Sequence, residues 1–543
     1  SIPASAVTRL VPSVYPTIQA AIDASSPGDV VQVAPGIYND CIHPSSPSDT
    51  TKCVAVMRSG VSLIGSGAGA TIIDCDDLGS GHVGRGIYCS GVTNATIAGL
   101  TIRSAFAAVY GAGIYCTDGS SPTIRDIEVR ECRDGGIIIN HDSSPTITNS
   151  VLTSNIAKEG GGIAVINGSS AVITACIIKE NRAPTGGGVF SRTNCDVTFS
   201  YCDISDNSIL TVVGAGGGGS FDSMNLLMEN CIINGNSAPT GGGGLYIARC
   251  NSAIVRNCLI QGNLVENDDY GPGGGIWLDD GTQATIEDCT ITHNAILNNL
   301  FDCNGGGVAI LWAGSSTILR QCTIANNHSP TGLGAGIWCA GTEATIEKCI
   351  VAFNTGGDGL YCGEFGPYPT TGCSNFYGNE LGDAICGNDA GHNFSLDPVF
   401  CDLGADDYRL QSTSPCRAGG HPEGPSACNG SRIGGEDIGC APVSIDLEPV
   451  AASPRQLRNQ PNPFSGSTNL RFELARAGQV SLRIYDAAGR QVRELLNGPM
   501  NAGPAQINWD GRDETGLALP SGVYFCRLTA DGVETARPIA LTR

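Results

Sequence analysis

Lysine is scarce in this chain: Lys52, Lys158, Lys179 and Lys348 are its only four in 543 residues. Charged residues of every kind make up 15%. Nucleic acid and anionic membranes are gripped by clustered basic side chains. The net charge of −22 therefore excludes both as partners. The deficit lies in residues 1–440, with 19 Lys and Arg against 42 Asp and Glu, whereas residues 441–543 hold 11 against 10. No run of about twenty apolar residues occurs, which excludes a membrane-spanning helix. The chain does not open with a basic and then apolar leader, so any signal peptide is expected to have been removed already. The 25 cysteines include no CxxC pair, which argues against zinc and for an oxidising compartment.

What the chain has in abundance is a repeated phrase. Cys176, Cys202, Cys231, Cys258, Cys289, Cys322 and Cys349 each follow an apolar pair and precede a β-branched residue and an Asn. ATIEDCTITHN at 284–294 and ATIEKCIVAFN at 344–354 show it plainly, with 26 to 33 residues between successive cysteines. Short β-type runs at a period in the upper twenties are the mark of a solenoid, which also escapes the usual size limit on one core. Between the phrases run Gly-rich turns (75 glycines in all) and short strands of the GIYC type at 86–89, 113–116, 275–278 and 336–339. Period-2 alternation places Ile87, Ile114, Ile137, Ile163, Val189, Leu245, Ile276, Val308, Ile337 and Leu360 in the core.

The same alternation turns Tyr88, Tyr115, Ile138, Ala164, Phe190, Phe221, Tyr246, Trp277, Ala309, Trp338 and Tyr361 outward. Eight of these eleven are aromatic, and at about 4.8 Å per coil the stripe would run roughly 50 Å. An exposed apolar stripe usually marks a binding surface. Its occupant is expected to be a protein surface (the C-terminal module or a neighbouring subunit) or a glycan chain; the plainer alternative is strand propensity beneath covering loops. The triple glycines lack the Lys and helix of a nucleotide loop and read as turns. Asn155, Asn181, Asn207, Asn236, Asn263, Asn294, Asn327 and Asn354 close successive coils and are expected to form a structural amide ladder. The ladder cysteines share one inward slot, within disulfide reach of one another; stacked thiols are the expected state and ladder disulfides the alternative. Cys41, Cys53, Cys373, Cys386, Cys401, Cys416, Cys428 and Cys440, in irregular segments, are the better disulfide candidates. Cys526 stands alone and is either a buried thiol or an intermolecular link.

This pattern resembles the right-handed parallel β-helix of the pectate-lyase-like superfamily over roughly residues 11–440. The opening YPTIQAAIDASSPGDVVQVAPGIY (15–38) is similar to the family's amphipathic helix and first strand, which implies that Ile18, Ala21 and Ile22 plug the open end of the stack. FSLDPVFCDLGADDYRLQSTSPC (394–416) resembles the terminal segment. The resemblance implies fold rather than activity, because the superfamily holds lyases, hydrolases, esterases, epimerases, tailspikes and adhesins. Its catalytic patterns are not met. Gly81-His82-Val83 is not the polygalacturonase GHG, Asp279-Asp280 stands without partner carboxylates, RxPxxR is missing, and Asp397-Pro398-Val399-Phe400 is not the epimerase DPHD.

After Cys440 the composition changes. Residues 441–459 read as a linker and 460–543 as a small antiparallel Ig-like sandwich. NPF, IYDAAGR, WDGRD and SGVYFCRL resemble the Ig-like C-terminal modules of the flagellar-hook-cap and type IX sorting kinds. That resemblance implies export from a Gram-negative-type cell and a place on its surface.

The catalytic candidates are Asp118, His141 and Asp142, which the register stacks in adjacent coils as an acid–base couple. The competing reading is a polar turn that favours Asp, Asn and His for its dihedrals. Arg125, Arg130 and Arg133 balance Asp126, Glu128 and Glu131. The acidic turn pairs Asp76-Asp77 and Asp268-Asp269 offer oxygen ligands for Ca2+ without an EF-hand or a calcium repeat. The expectation is an exported, non-enzymatic structural or adhesive surface protein whose partners are copies of itself or other surface proteins. A filament is one form of that self-assembly. The alternative is a polysaccharide lyase, hydrolase or non-catalytic glycan binder that uses the stripe.

Overall fold

The computed structural model describes residues 6–41, 51–76, 84–106, 111–266, 271–297, 305–314, 316–364, 366–436 and 438–440 of the long N-terminal part. Of the C-terminal part it describes 455–460, 464–474, 478–486, 490–501, 503–530 and 533–541. The first part is a β-solenoid. A front wall of 12 strands, a flank wall of 15 and a back wall of 13 are joined, from Arg182 to Gly357, by a strip of seven very short strands. All four are parallel throughout, the last strand of the flank pairing with a shift in register. Each coil runs front, flank, back and, where present, strip.

The inward positions of the three long walls make one continuous core. Ile114, Ile137, Ile163 and Val189 of the front meet Ile124, Ile147, Ile173 and Phe199 of the flank and Val129, Leu152, Ile178 and Ile204 of the back, every one fully buried. Ten aliphatic front-wall residues assigned to the core from alternation are inside. A helix, Ile18–Asp23, stands near the N-terminal end with Ile18, Ala21 and Ile22 in the same core. Thr17 caps it by accepting a hydrogen bond from the Ala20 amide.

Two polar ladders fix the register of the stack. Asn155, Asn181, Asn207, Asn236, Asn263, Asn294, Asn327, Asn354 and Asn379 are stacked, and in each step the upper Oδ1 accepts from the backbone N–H and the amide of the Asn below. Each Nδ2 also donates to a backbone carbonyl one coil back, at 2.8 to 3.0 Å. A buried amide with all its partners met specifies one alignment, since a slipped coil would strand several donors. The seven ladder cysteines are buried free thiols, and burial pushes Cys176 and Cys289 well above the usual thiol range.

Disulfides gather at the C-terminal end of the solenoid, as Cys362–Cys386, Cys373–Cys428 and Cys401–Cys440. Five of the expected eight are therefore bonded. Cys41, Cys53 and Cys416 stand outside these three bridges, and Cys41 and Cys416 are free thiols. Cys53 lies in a front-wall strand with no exposed surface, and Cys416 accepts a hydrogen bond from Asn375. Cys362, a front-wall residue not among the candidates, takes Cys386 instead.

The outer face of the back wall is covered twice. The terminal segment packs Phe400, Tyr408, Leu410, Cys416 and Ile433 on Ala325, Ile350 and Ala352. Arg432 bonds Asp288 and Glu436 accepts from Thr290, which ties the segment down at its rim. Farther toward the N-terminus, Phe525 of the C-terminal module packs on Val151, Ala175 and Ile177 and meets Tyr201 edge to face at 5.7 Å. That module is a three-stranded and a four-stranded antiparallel sheet around Leu470, Phe472, Leu482, Ile484, Trp509, Tyr524, Cys526 and Leu528. Its first strand, Arg455–Gln460, begins within the stretch read as linker. Cys526 is a buried thiol inside this core.

Candidate binding face

The outward column of the front wall is in register on a single face. Tyr88, Tyr115, Ile138, Ala164, Phe190, Ser220, Tyr246, Trp277, Ala309, Trp338 and Tyr361 follow one another rung by rung. Phe221 is the exception and corrects the reading from sequence. Gly219 pairs with Val189 and Leu245 in the inward slot, so Ser220 faces out and Phe221 faces in. Its ring fills the room that Gly219 leaves, since a Cβ there would meet it at 2.5 Å, and it packs edge to face on Phe199 in the core.

The stripe is not open along its length. Tyr88, Tyr115, Ile138, Ala164 and Phe190 are all less than 9% exposed. Arg85, itself buried, lies over the rings of Tyr88 and Tyr115 at 5.1 and 4.7 Å, and Asn140 donates to the Tyr115 hydroxyl at 2.9 Å. Covering turns, the plainer alternative, hold for this half. The turn glycines make the cover possible: Gly186 has φ +60°, and a Cβ on it would stand 3.0 Å from that of Phe190. Nor does the C-terminal module take the stripe, because it docks on the back wall.

In the other half the rings are half-buried and Ala309 is fully buried. Tyr246 and Trp277 lie with ring centres 4.6 Å apart, then Ala309 interrupts the column, and Trp338 and Tyr361 follow on successive rungs. At the adjoining turn stands Trp312, 64% exposed, with φ +42°. A bulky residue in the left-handed region is a genuine outlier. Its indole lies across Gly341 of the next coil, where a side chain would collide with the ring. Three of the chain's four tryptophans thus occupy three consecutive coils of one wall. The indole N–H groups of Trp277 and Trp338 are buried and find no acceptor among the described residues. Unmet buried donors of this kind cost about 1–3 kcal/mol each and call for a reason.

Carboxylates border the rings. Tyr246 donates to Asp279 at 3.2 Å, and burial together with that carboxylate pushes the Tyr246 hydroxyl far above its usual range. Burial also raises Asp279. Asp222 and Asp280 both accept from Arg249, at 2.5 and 2.7 Å. Asp279-Asp280 therefore do have neighbours, a tyrosine, an arginine and a third carboxylate, Asp222, which shares Arg249 with Asp280.

Asp118 and His141 do stack, with Oδ1 and Nδ1 4.0 Å apart. Both side chains are more than half exposed and engaged locally: Ser90 donates to Asp118 at 2.6 Å and Thr117 meets His141 at 3.2 Å. Asp118, His141 and Asp142 all have positive φ, the turn dihedral that Asp, Asn and His tolerate. The same turn slot holds Arg249, Asp280 and Trp312 farther along. Six rungs, about 29 Å, separate His141 from Trp312, so the couple and the open rings do not form one site. Arg125 and Arg130 bond Asp126 and Glu131. His82, Asp77, Asp268 and Asp269 lie outside the described residues. Among those described, no group of three or more His, Cys, Asp or Glu is placed to hold a metal ion. No described helix is long and apolar enough to cross a membrane.

Comparison with known families decides the architecture. The right-handed beta helix region matches residues 59–221 and 213–296, and the FlgD Ig-like domain matches 459–533. The chain is a right-handed β-helix repeat protein with a C-terminal Ig-like module. No curated protein matches it. Among solved structures, this β-helix protein is similar to the A-modules of the mannuronan C-5 epimerases AlgE6 and AlgE4 of Azotobacter vinelandii. They are 17% and 15% identical over 70% of this chain and 94% and 92% of theirs, with TM-scores of 0.39 and 0.40. Latent dimeric PorU of Porphyromonas gingivalis is 24% identical over 16% of this chain; the match spans 9% of PorU, with a TM-score of 0.14. Likeness at these scores says nothing of activity.

Trp312 escaped the reading from sequence because it sits in a turn and not in the strand column. Its spacing was a signal: it falls 35 residues after Trp277 and 26 before Trp338, close to one coil each way.

Proposed function

We propose that this is an exported, non-enzymatic surface protein that adheres to a saccharide through the tryptophan-bearing end of its front wall. The observation that supports the reading is Trp312: a solvent-facing indole held at a strained dihedral, flanked by half-exposed Trp277 and Trp338 on the neighbouring coils. The carbon–hydrogen face of a sugar ring is slightly positive and the face of an indole slightly negative, so stacking suits both. A solenoid wall presents such rings in a straight row, which suits a chain ligand. Tyr246 and Asp279 beside the rings supply a hydroxyl and a carboxylate for sugar hydroxyls. The three disulfides support an oxidising, extracellular location. The docked Ig-like module and the resemblance of its motifs to sorting modules support attachment at a surface.

Co-sedimentation of the full chain with insoluble polysaccharides tests the reading. Wild type should pellet with at least one of them and release no reducing ends. Trp312→Ala together with Trp338→Ala should stay in solution, with an unchanged circular dichroism spectrum. Pelleting of that variant to the same extent as wild type would refute the proposal.

A further inference from the structure

The charge around the open rings narrows the class of ligand, an inference that rests on the recognition reading above. Between Gly271 and Glu364, which supply Trp277, Trp312, Trp338 and Tyr361, the only Lys or Arg residues are Arg320 and Lys348. Neither serves this wall. Arg320 stands on the flank, paired with Glu287 and Glu347, and Lys348 bonds Ser431 of the terminal segment. One rung beyond, Arg249 is held between Asp222 and Asp280. Against these stand Asp279, Asp280 and the exposed Glu343 and Glu364, which follow the turns of the coils that carry Trp338 and Tyr361.

A uronate or sulfated polymer brings a negative charge with nearly every ring. Laid on this face it would leave its anions desolvated against indole and next to carboxylates, with no free cation to pair. The acidic net charge opposes its approach as well. An uncharged sugar meets no such penalty, and its hydroxyls can donate to Asp279 and Asp280. Trp277 and Trp338 lie two rungs apart on the same face, about 9.6 Å, close to the repeat of an extended β-linked disaccharide. We infer that the face takes an uncharged, extended β-linked polysaccharide and rejects polyanionic glycans.

Affinity gel electrophoresis of the full chain in soluble polymers separates this inference from the reading beneath it. Hydroxyethylcellulose and galactomannan serve as uncharged probes, alginate and polygalacturonate as anionic ones, and chitosan as the cationic one. The expected result is retardation by an uncharged polymer, little changed between low and high salt, weakened roughly tenfold or more by Trp312→Ala. Alginate and polygalacturonate should give none. Retardation by an anionic polymer that depends on Trp312 would overturn the inference and leave the recognition reading standing. Retardation by chitosan alone, lost in salt, would also overturn the inference. Retardation indifferent to Trp312→Ala and Trp338→Ala, or none by any polymer, would overturn both.

Discussion

Replacing Asn236 with alanine should cost this protein several kcal/mol through hydrogen bonds alone. The Asn236 side chain has no exposed surface. Its Oδ1 accepts from the backbone N–H and the amide of Asn207, both at 3.0 Å, and its Nδ2 donates to the Ile204 carbonyl and to Asn263 Oδ1, both at 2.9 Å. Alanine leaves two Asn207 hydrogens and the Ile204 carbonyl unpaired in a dry interior. At about 1–3 kcal/mol for each stranded group, and with some relaxation, the loss is roughly 3–6 kcal/mol. Asn225 is the control: it is exposed, among the described residues its amide reaches only Asp196 at 2.7 Å, and Asn225→Ala should stay within about 0.5 kcal/mol. Equilibrium unfolding in guanidinium measures the difference, with hydrogen exchange at residues 204–208 and 232–237 reporting any purely local opening. Loss below about 1 kcal/mol, with exchange unchanged, would show that the amide ladder does not hold the register.

Three further outcomes follow from the packing. Asp203 lies on the back wall's outer column one rung beyond Ile177, 8% exposed, with Oδ1 unpartnered among the described residues; burial pushes its carboxyl up to about 6. The folded state therefore holds the extra proton between about 4 and 6, so stability falls as pH rises through that window. Asp203→Asn should remove the fall and raise stability at neutral pH by on the order of 2 kcal/mol; thermal melts at pH 4 to 7 that run parallel for the two proteins would contradict this. Phe525→Ala should weaken docking of the Ig-like module by about 2 kcal/mol, seen as a larger maximum dimension in small-angle scattering, and an unchanged profile would mean that other contacts hold it. Sedimentation velocity of the whole chain checks the expected self-assembly: concentration-dependent growth into long particles would support it, and uniform single particles at high concentration would count against it.

The fold was legible because a solenoid repeats each constraint a dozen times. One Asn or one Ile alone means little, but a residue type recurring at one offset in every coil marks a slot with a fixed environment. The Asn ladder, the thiol ladder and the aliphatic inward column could all be read this way. The outward column was legible in register but not in exposure, because alternation tells which side of a sheet a residue takes and not what lies above it. Tyr115 is outward and still buried, under Arg85. Phe221 was misplaced because its coil carries a glycine run, and a glycine in the inward slot hides the phase of the alternation. Cys41, Cys53 and Cys416 show the limit of reading disulfides from irregular composition, since pairing depends on which loops the ends of the stack bring together. Trp312 lay in a turn, where the slot's sequence varies between coils.

Hydrogen exchange on the full chain, with and without a soluble uncharged β-linked oligosaccharide, tests the central claim most directly. Saturating ligand should slow exchange in the front-wall strands and turns around Trp277, Trp312 and Trp338, and leave the coils around Tyr88, Tyr115, Asp118 and His141 unchanged. Protection at the Asp118–His141 edge, or on the back wall, with none around the three tryptophans, would contradict it.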